Sequence, residues 1–429
     1  MISWPVGVFI LLVMLLSGLP IAFSLTLVGF VGTLSIIGWQ PALSLLGQTF
    51  FDNSLSYSLS IVPLFLMMGN FVVLSGVAQE MYEAAHAWMR HRRGGLAIAT
   101  VVASGGFSSV CGSSLATAAT MAKISMPSMR RFGYSDALST ASIAAGGTLG
   151  ILIPPSIILV LYGIMTQSDI GKLFLAGIVP GIIGIIGYCL AVVLSLMISG
   201  QKLPVMDRLP LAKRFAAMKG TLGAGALFIF VMGGIYFGVF TPTESAAMGA
   251  FGAFLLVLAK RRFSVQAVLM SLFESAKTSA MMFFILFGAL TFTNYVNLSG
   301  MSADIQSLLT VFGDSRISIL LVIMAIYLVL GCLLEGMAMI TLTVPMFYPV
   351  VAANGIDLIW FGIFVVVVTE ISYITPPVGL NAFVLRAVVR DVNLATIFRG
   401  LGPFLLMDVI RVLLLIAFPA LVLLVPYSM

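Results

Sequence analysis

Two stretches of this chain hold the residue types that could bind a small ion inside an otherwise apolar sequence. Thr375-Pro376-Pro377-Val378-Gly379-Leu380-Asn381 interrupts the apolar residues 358–389, and Gly147-Thr148-Leu149-Gly150-Ile151-Leu152-Ile153-Pro154-Pro155-Ser156 interrupts residues 141–165. A proline removes a backbone donor, clashes with the carbonyl one turn back and pushes its predecessor out of helical geometry, so each run must break as a helix. At membrane depth a break is tolerated only where it is buried in protein or lines a watery cavity. Its freed carbonyls, joined by Ser, Thr and Asn oxygens, suit Na⁺, a hard cation that prefers oxygen ligands. The sequence therefore nominates Gly147, Gly150 and Pro154 in one break, and Thr375, Pro376, Gly379 and Asn381 in the other, as Na⁺ ligands, with Ser156 as a substrate contact.

A second pair of interruptions accompanies the first. Gly95 to Pro127 is apolar but contains Ser104 to Ser114, a Gly/Ser-rich tract whose Ser108, Ser109, Gly112, Ser113, Ser114 and the nearby Thr117 are further Na⁺ candidates. The competing reading is that small residues let helices approach closely. Residues 317–349 are broken at Gly331 to Gly336, which nominates Glu335, Gly336 and Thr341. A carboxylate in such a setting is costly and usually functional, although Glu335 could equally cap exposed amides at a tip. Arg386 suits an anionic substrate, but with Arg390 it also fits an ordinary basic loop. Asp408 and Arg411, three apart, read as a local ion pair, while Glu370 and Lys123 call for a partner charge or an interface. In Thr241-Pro242-Thr243-Glu244 either threonine can cap the following helix, with Glu244 in its first turn.

Enzymatic chemistry has no foothold here. There is no Gly-rich phosphate loop ending in Gly-Lys-Ser/Thr, no His/Cys cluster and no nucleophile with a base. His86 and His91 stand beside arginines and read as solvated. Cys111, Cys189 and Cys332 are far apart in apolar context and read as packing residues.

The elements that must position these residues are membrane helices. With 429 residues, 61% hydrophobic, 8% charged and a mean hydropathy of +1.17, the chain is an all-α polytopic membrane protein; soluble domains carry about a quarter charged residues. The net charge of +6 lies in short loops, as the positive-inside rule expects, and does not point to nucleic acid. Pro154 and Pro376 are 222 positions apart, as are Asp169 and Asp391. The chain thus reads as two copies of one unit, 1–220 and 221–429. Each has a re-entrant hairpin (95–127; 317–349) and a broken helix (141–165; 358–389).

Basic residues at Lys202, Arg208, Lys213, Arg214 and Lys219, and again at Lys260 to Arg262, mark cytoplasmic loops, whereas Ser302 to Arg316, with Asp304 and Asp314, is placed outside. Five crossings per half invert the second copy, give about ten in all and leave both termini outside the cytoplasm. Residues 41–52 read as an interfacial arm, with 263–277 as its counterpart ahead of a separate crossing at 280–298. No cleavable signal pattern is evident, so the first span is expected to insert as it stands. Paired interrupted segments in two halves point to the midplane site of a secondary transporter, here with at least two Na⁺.

Gly238 to Ala247, Ile374 to Asn381 and Gly147 to Ser156 resemble signatures of the large membrane subunit of tripartite ATP-independent periplasmic (TRAP) transporters, and Gly18 to Phe23 and Glu335 to Thr341 fit as well. The resemblance spans nearly the whole chain. It implies an inner-membrane subunit of a bacterium or archaeon, working with a smaller four-helix membrane subunit, a separate polypeptide here, and a periplasmic substrate-binding protein. It further implies Na⁺-driven import of a small organic anion, sialic acid or a C4-dicarboxylate, by an elevator motion. A stand-alone Na⁺-coupled carboxylate symporter of related architecture is the alternative.

Overall fold

The computed structural model describes residues 3–201, 203–311 and 315–428, the side chains of 308–311 aside; Lys202 and Asp314 lie outside the described residues. The described elements are all helical. The chain opens with α1 (Trp4–Leu16), α2 (Ile21–Ile37), α3 (Trp39–Ser54), α4 (Ile61–Ser75) and the amphipathic α5 (Val77–Met89). The first hairpin follows as α6 (Gly95–Cys111) and α7 (Ser114–Arg131), then the first broken helix as α8 (Asp136–Thr148) and α9 (Ile157–Thr166), and then α10 (Ile170–Ser199).

After the short α11 (Leu211–Met218), the second half comprises α12 (Leu222–Tyr236), α13 (Pro242–Ala259), α14 (Val265–Leu298) and α15 (Met301–Val311). The second hairpin is α16 (Arg316–Gly331) with α17 (Gly336–Ala353), and the second broken helix is α18 (Leu358–Ser372) with α19 (Leu380–Val388). α20 (Leu394–Ala417) and the turn α21 (Ala420–Leu423) close the chain. Among the described residues seven helices are long and apolar enough to cross a bilayer, and shorter apolar helices accompany them. The chain is a multi-pass membrane protein.

Three sequence expectations change on folding. Ser104 to Ser109 do not interrupt the hairpin; α6 runs on through Cys111 and only Gly112 and Ser113 turn the chain. Serine and glycine in a tightly packed membrane helix look the same in sequence as a loop. Residues 263–277 and 280–298 are not an arm and a separate crossing but one continuous α14, because no proline or glycine between Val265 and Phe287 forces an end. The loop at 302–316 contains α15. In the Thr241 tract it is Thr241 that caps α13, in a capping box with Glu244.

Two bundles result. The frame joins α1–α4 to α12–α14, with α2 on α14 and α4 on α13 as its main pairings. α2 and α14 touch backbone to backbone: a Cβ on Gly29 would fall 2.7 Å from Phe292 N, and one on Gly288 2.7 Å from Ala22 O. Small residues at that seam let two lipid-bathed helices gain contact without a hydrophobic driving force. The second bundle holds both hairpins, both broken helices, α10 and α20. Each bundle draws elements from both halves of the sequence.

Candidate functional site

Each hairpin tip is held against a break. Gly112 turns α6 into α7 with φ +67°, and a Cβ there would meet Pro155 O at 2.8 Å, while one on Gly150 would meet Ser113 O at 2.8 Å. Only glycine lets tip and break lie so close. At the second tip, Gly336 N donates to Tyr373 Oη at 3.1 Å and Cys332 Sγ lies 3.7 Å from Pro376 O. Both Pro-Pro bonds, 154–155 and 376–377, are cis.

Asn381 joins the two systems. Fully buried near the start of α19, it accepts from Ser114 Oγ at 3.0 Å through Oδ1 and donates to Ala144 O at 2.9 Å through Nδ2. Its backbone N–H donates to Tyr373 O at 3.1 Å. One side chain therefore ties the second break to the first hairpin and to α8.

The hydroxyls fall into two groups. Ser104 and Ser108, one turn apart on α6, are fully buried and their oxygens have no hydrogen-bond partner; Thr117 on α7, also fully buried, has the Cys111 thiol as its hydrogen-bond partner. A buried orphan hydroxyl is costly, and its oxygen is free to ligate a cation. Ser104 escaped the sequence reading, although it stands one turn before Ser108 on the same helix. The other hydroxyls are engaged as donors. Ser109 Oγ donates to Gly106 O at 2.7 Å, Thr341 Oγ1 to Met337 O at 2.8 Å and Thr375 Oγ1 to Ile371 O at 2.6 Å. Each keeps its lone pairs. Ser113 Oγ accepts from Ala116 N at 3.3 Å. Gly147 packs on Ala118, and Gly379 enters α19 with φ +59°.

The two nominated substrate contacts are occupied elsewhere. Ser156 caps α9, donating to Ile151 O and accepting from Leu159 N at 3.3 Å. Arg386 Nη1, in the last turn of α19, donates to Arg390 O at 2.6 Å and Val392 O at 2.5 Å in the chain just beyond the helix. Neither lines the cavity described next.

Between the tips and the frame lies a cavity of about 410 Å³. Its walls pair residues 222 positions apart: Ser113 with Glu335, Leu115 with Met337, and Ile151 with Tyr373. The cavity therefore draws its walls from corresponding positions of the two sequence halves. The frame closes one side with Leu66 of α4 and Thr278, Met281 and Met282 of α14. The starts of α7, α9 and α17 all contribute to the wall, and no lysine or arginine does. Helix N-termini carry partial positive charge and receive anions. Glu335 is the one charged wall residue among those described. Tyr373 and the α14 residues were not legible as site residues from sequence; the 222-residue offset from Ile151 would have found Tyr373.

A buried ionic network lies apart from this cavity. Arg411 Nη2 is 2.7 Å from Glu370 Oε2 and 2.8 Å from Asp408 Oδ1. Tyr188 Oη donates to Asp408 at 2.9 Å and meets Thr148 Oγ1 at 3.0 Å. The Asp408–Arg411 pair is as the spacing predicts, and Glu370 has Arg411 as its partner charge. Lys123 is exposed on α7. The three free cysteines form no disulfide, and no metal-binding cluster of His, Cys, Asp or Glu occurs among the described residues.

A family model described as "Tripartite ATP-independent periplasmic transporter, DctM component" matches residues 8–421. The C4-dicarboxylate TRAP transporter large permease protein DctM of Pseudomonas aeruginosa is 38% identical over 93% of each chain. The sialic acid TRAP transporter large permease protein SiaM of Vibrio cholerae is 30% identical over 96% of each. Among solved structures, MtrF of Neisseria gonorrhoeae superposes with a TM-score of 0.59 at 13% identity, over 90% of this chain and 85% of that one. The YdaH transporter of Alcanivorax borkumensis gives 0.54 at 15% identity, over 90% of both. At such identities the likeness shows the fold alone.

Proposed function

Because this chain belongs to the DctM family, the large permease components of TRAP transporters, we propose that it carries small organic acids inward together with Na⁺. Its partners in this reading are a small membrane subunit and a periplasmic substrate-binding protein. In this reading it resides in the bacterial inner membrane with both termini outside the cytoplasm, an orientation that the distribution of basic loops supports.

The observation that carries the reading is the cavity walled on one side by hairpin tips, with residues 222 positions apart, and on the other by the frame. Three helix N-termini favour a carboxylate there, but Glu335 disfavours it and no arginine or lysine compensates. Cations entering with the anion offset that deficit. The unpartnered oxygens of Ser104 and Ser108, with Thr117 and the carbonyls exposed at the breaks, are donors of the kind Na⁺ takes. The second break and tip, with Thr341, Thr375 and Asn381, supply another, so two ions accompany one substrate. Because the cavity lies between the bundles, sliding the tip-bearing bundle along the frame would carry it across the membrane.

A C4-dicarboxylate is the favoured substrate, since the relative named for it is more similar than the one named for sialic acid. The test is uptake into liposomes holding the chain and its small subunit, with labelled succinate and sialic acid, with and without binding protein and an inward Na⁺ gradient. Succinate uptake that needs both the binding protein and Na⁺ is the expected result. Uptake without the binding protein would instead indicate a stand-alone symporter, and uptake indifferent to Na⁺ would refute the coupling.

A further inference from the structure

A second pocket, of about 500 Å³, lies away from the tips, where α5, α6, the end of α11 and the start of α12 meet. Trp88, Met89, Val102, Gly106, Gly225 and Phe228 are among its walls, which are almost wholly apolar. Val102, Gly106 and Ser109 stand at helical spacing on one face of α6, so the groove climbs about 10 Å from the cytoplasmic end toward the membrane interior.

Its lower end is basic and short of partners. Arg214 on α11 is only 2% exposed, and its guanidinium lies 5.5 Å from the centre of the Trp88 ring, in the groove wall. Nε donates to Leu209 O at 2.9 Å, but Nη2 has no partner. Arg90 Nε and Trp88 Nε1 are buried without partners as well; His91, expected from sequence to be solvated, has a buried Nδ1 and a hydrogen bond to the Trp88 backbone. Desolvation, then the charges of Arg214, Arg208 and Arg92, hold the His91 imidazole below its usual range, in keeping with the basic setting that the Arg214 guanidinium over Trp88 sets. No ion pair reaches Arg90, Arg92, Arg208 or Arg214 among the described residues; Asp207, next to Arg208, is exposed. A buried guanidinium with an unmet donor is costly unless an anion arrives.

We propose that this groove binds an anionic phospholipid of the cytoplasmic leaflet, its phosphate held by Arg214 with Arg208, Arg92 and His91, and an acyl chain lying along α6 against Trp88 and Phe228. The two halves of the site match the two halves of such a lipid, and basic pockets between helices on the cytoplasmic side are where anionic headgroups bind. The position is mechanically telling. α5 links frame helix α4 to the first hairpin, so the lipid would sit where the moving bundle is hinged to the frame.

The test is native mass spectrometry of the full chain in detergent, offered dioleoyl phosphatidylglycerol or dioleoyl phosphatidylcholine. Phosphatidylglycerol should be retained in at least about fivefold excess, roughly one basic contact's worth. Arg214→Gln should remove that preference, and Arg208→Gln on the exposed surface should lower it if the first variant does not fold. Gly225→Phe should reduce retention of both lipids with unaltered thermal unfolding, because nothing lies within 4 Å of a Cβ at that position except the groove space itself. Equal retention of the two lipids, or a preference that survives both arginine variants, would overturn the proposal. So would loss of phosphatidylglycerol on co-expression of a small membrane subunit, which would give the groove to a protein helix.

Discussion

Asn381 is the residue on which the candidate site turns. Its amide is the sole side-chain link from the second break to the first hairpin among the described hydrogen bonds. Asn381→Ala leaves Ala144 O and Ser114 Oγ buried without that partner, a loss of about 1 to 3 kcal/mol. Because the loss falls on the geometry between a tip and a break, the Na⁺ concentration for half-maximal uptake should rise by about fivefold or more. A Na⁺ titration of uptake measures this; an unchanged half-saturation would exclude Asn381 from ion coordination or its support. The Arg411 network behaves differently, since it lies off the cavity. Arg411→Met leaves Glu370 and Asp408 buried and uncompensated and should lower stability by about 3 to 5 kcal/mol, the cost of breaking a buried pair from one side. The further changes Glu370→Gln and Asp408→Asn should recover most of it, read by thermal unfolding in detergent. Asn381 was legible because an amide beside two prolines is conspicuous in an apolar run. The Glu370–Arg411 contact was not, since spacing reveals partners only within a turn or so and these two are on separate helices.

At the scale of elements, breaks could be read and continuity could not. Proline and glycine mark where helices must stop, so 152–156 and 373–379 were found, whereas α14 runs through a stretch whose polar residues suggested two elements. The tip at Gly112 was blurred for the opposite reason, because Ser104 to Ser109 are small residues serving packing inside α6. One clamp between elements carries a pH prediction. Arg130, at the end of α7, reaches Asp136 at the start of α8 at 2.8 Å and Asp391 beyond α19 at 2.7 Å. The Arg130 hydrogen bond holds the Asp391 carboxyl below the usual aspartate range. A carboxyl whose folded pKa is depressed contributes stability that is fully present above its unfolded value of about 4 and is lost as pH falls through the folded value. Arg130→Gln should therefore lower the melting temperature modestly at neutral pH, the pair being exposed, and the gap should close below about pH 4. Melting curves of both proteins across that range decide it; a gap that widens in acid would contradict the assignment.

For the whole molecule, the two sequence halves are not units of packing. The 222-residue offset was legible because both breaks carry a Pro-Pro pair, and it places the N-cap positions Ser113 and Glu335 in register as well. What the offset does not say is that α2 pairs with α14, α4 with α13 and α7 with α19, so that frame and tip-bearing bundle each need both halves. That interlocking leaves the cavity wall split between two bodies. If transport is a sliding of one against the other, joining them should stop it without harming either. In a Cys332→Ser background, which removes the native thiol at the second tip, Thr278→Cys on α14 and Met337→Cys on α17 place thiols on opposite sides of that boundary. A cleavable bifunctional thiol reagent should abolish uptake in the double variant alone, with full recovery on reduction. Uptake that persists in quantitatively cross-linked protein would show that the substrate passes between fixed bundles, and the elevator reading would have to be abandoned for a gated pore.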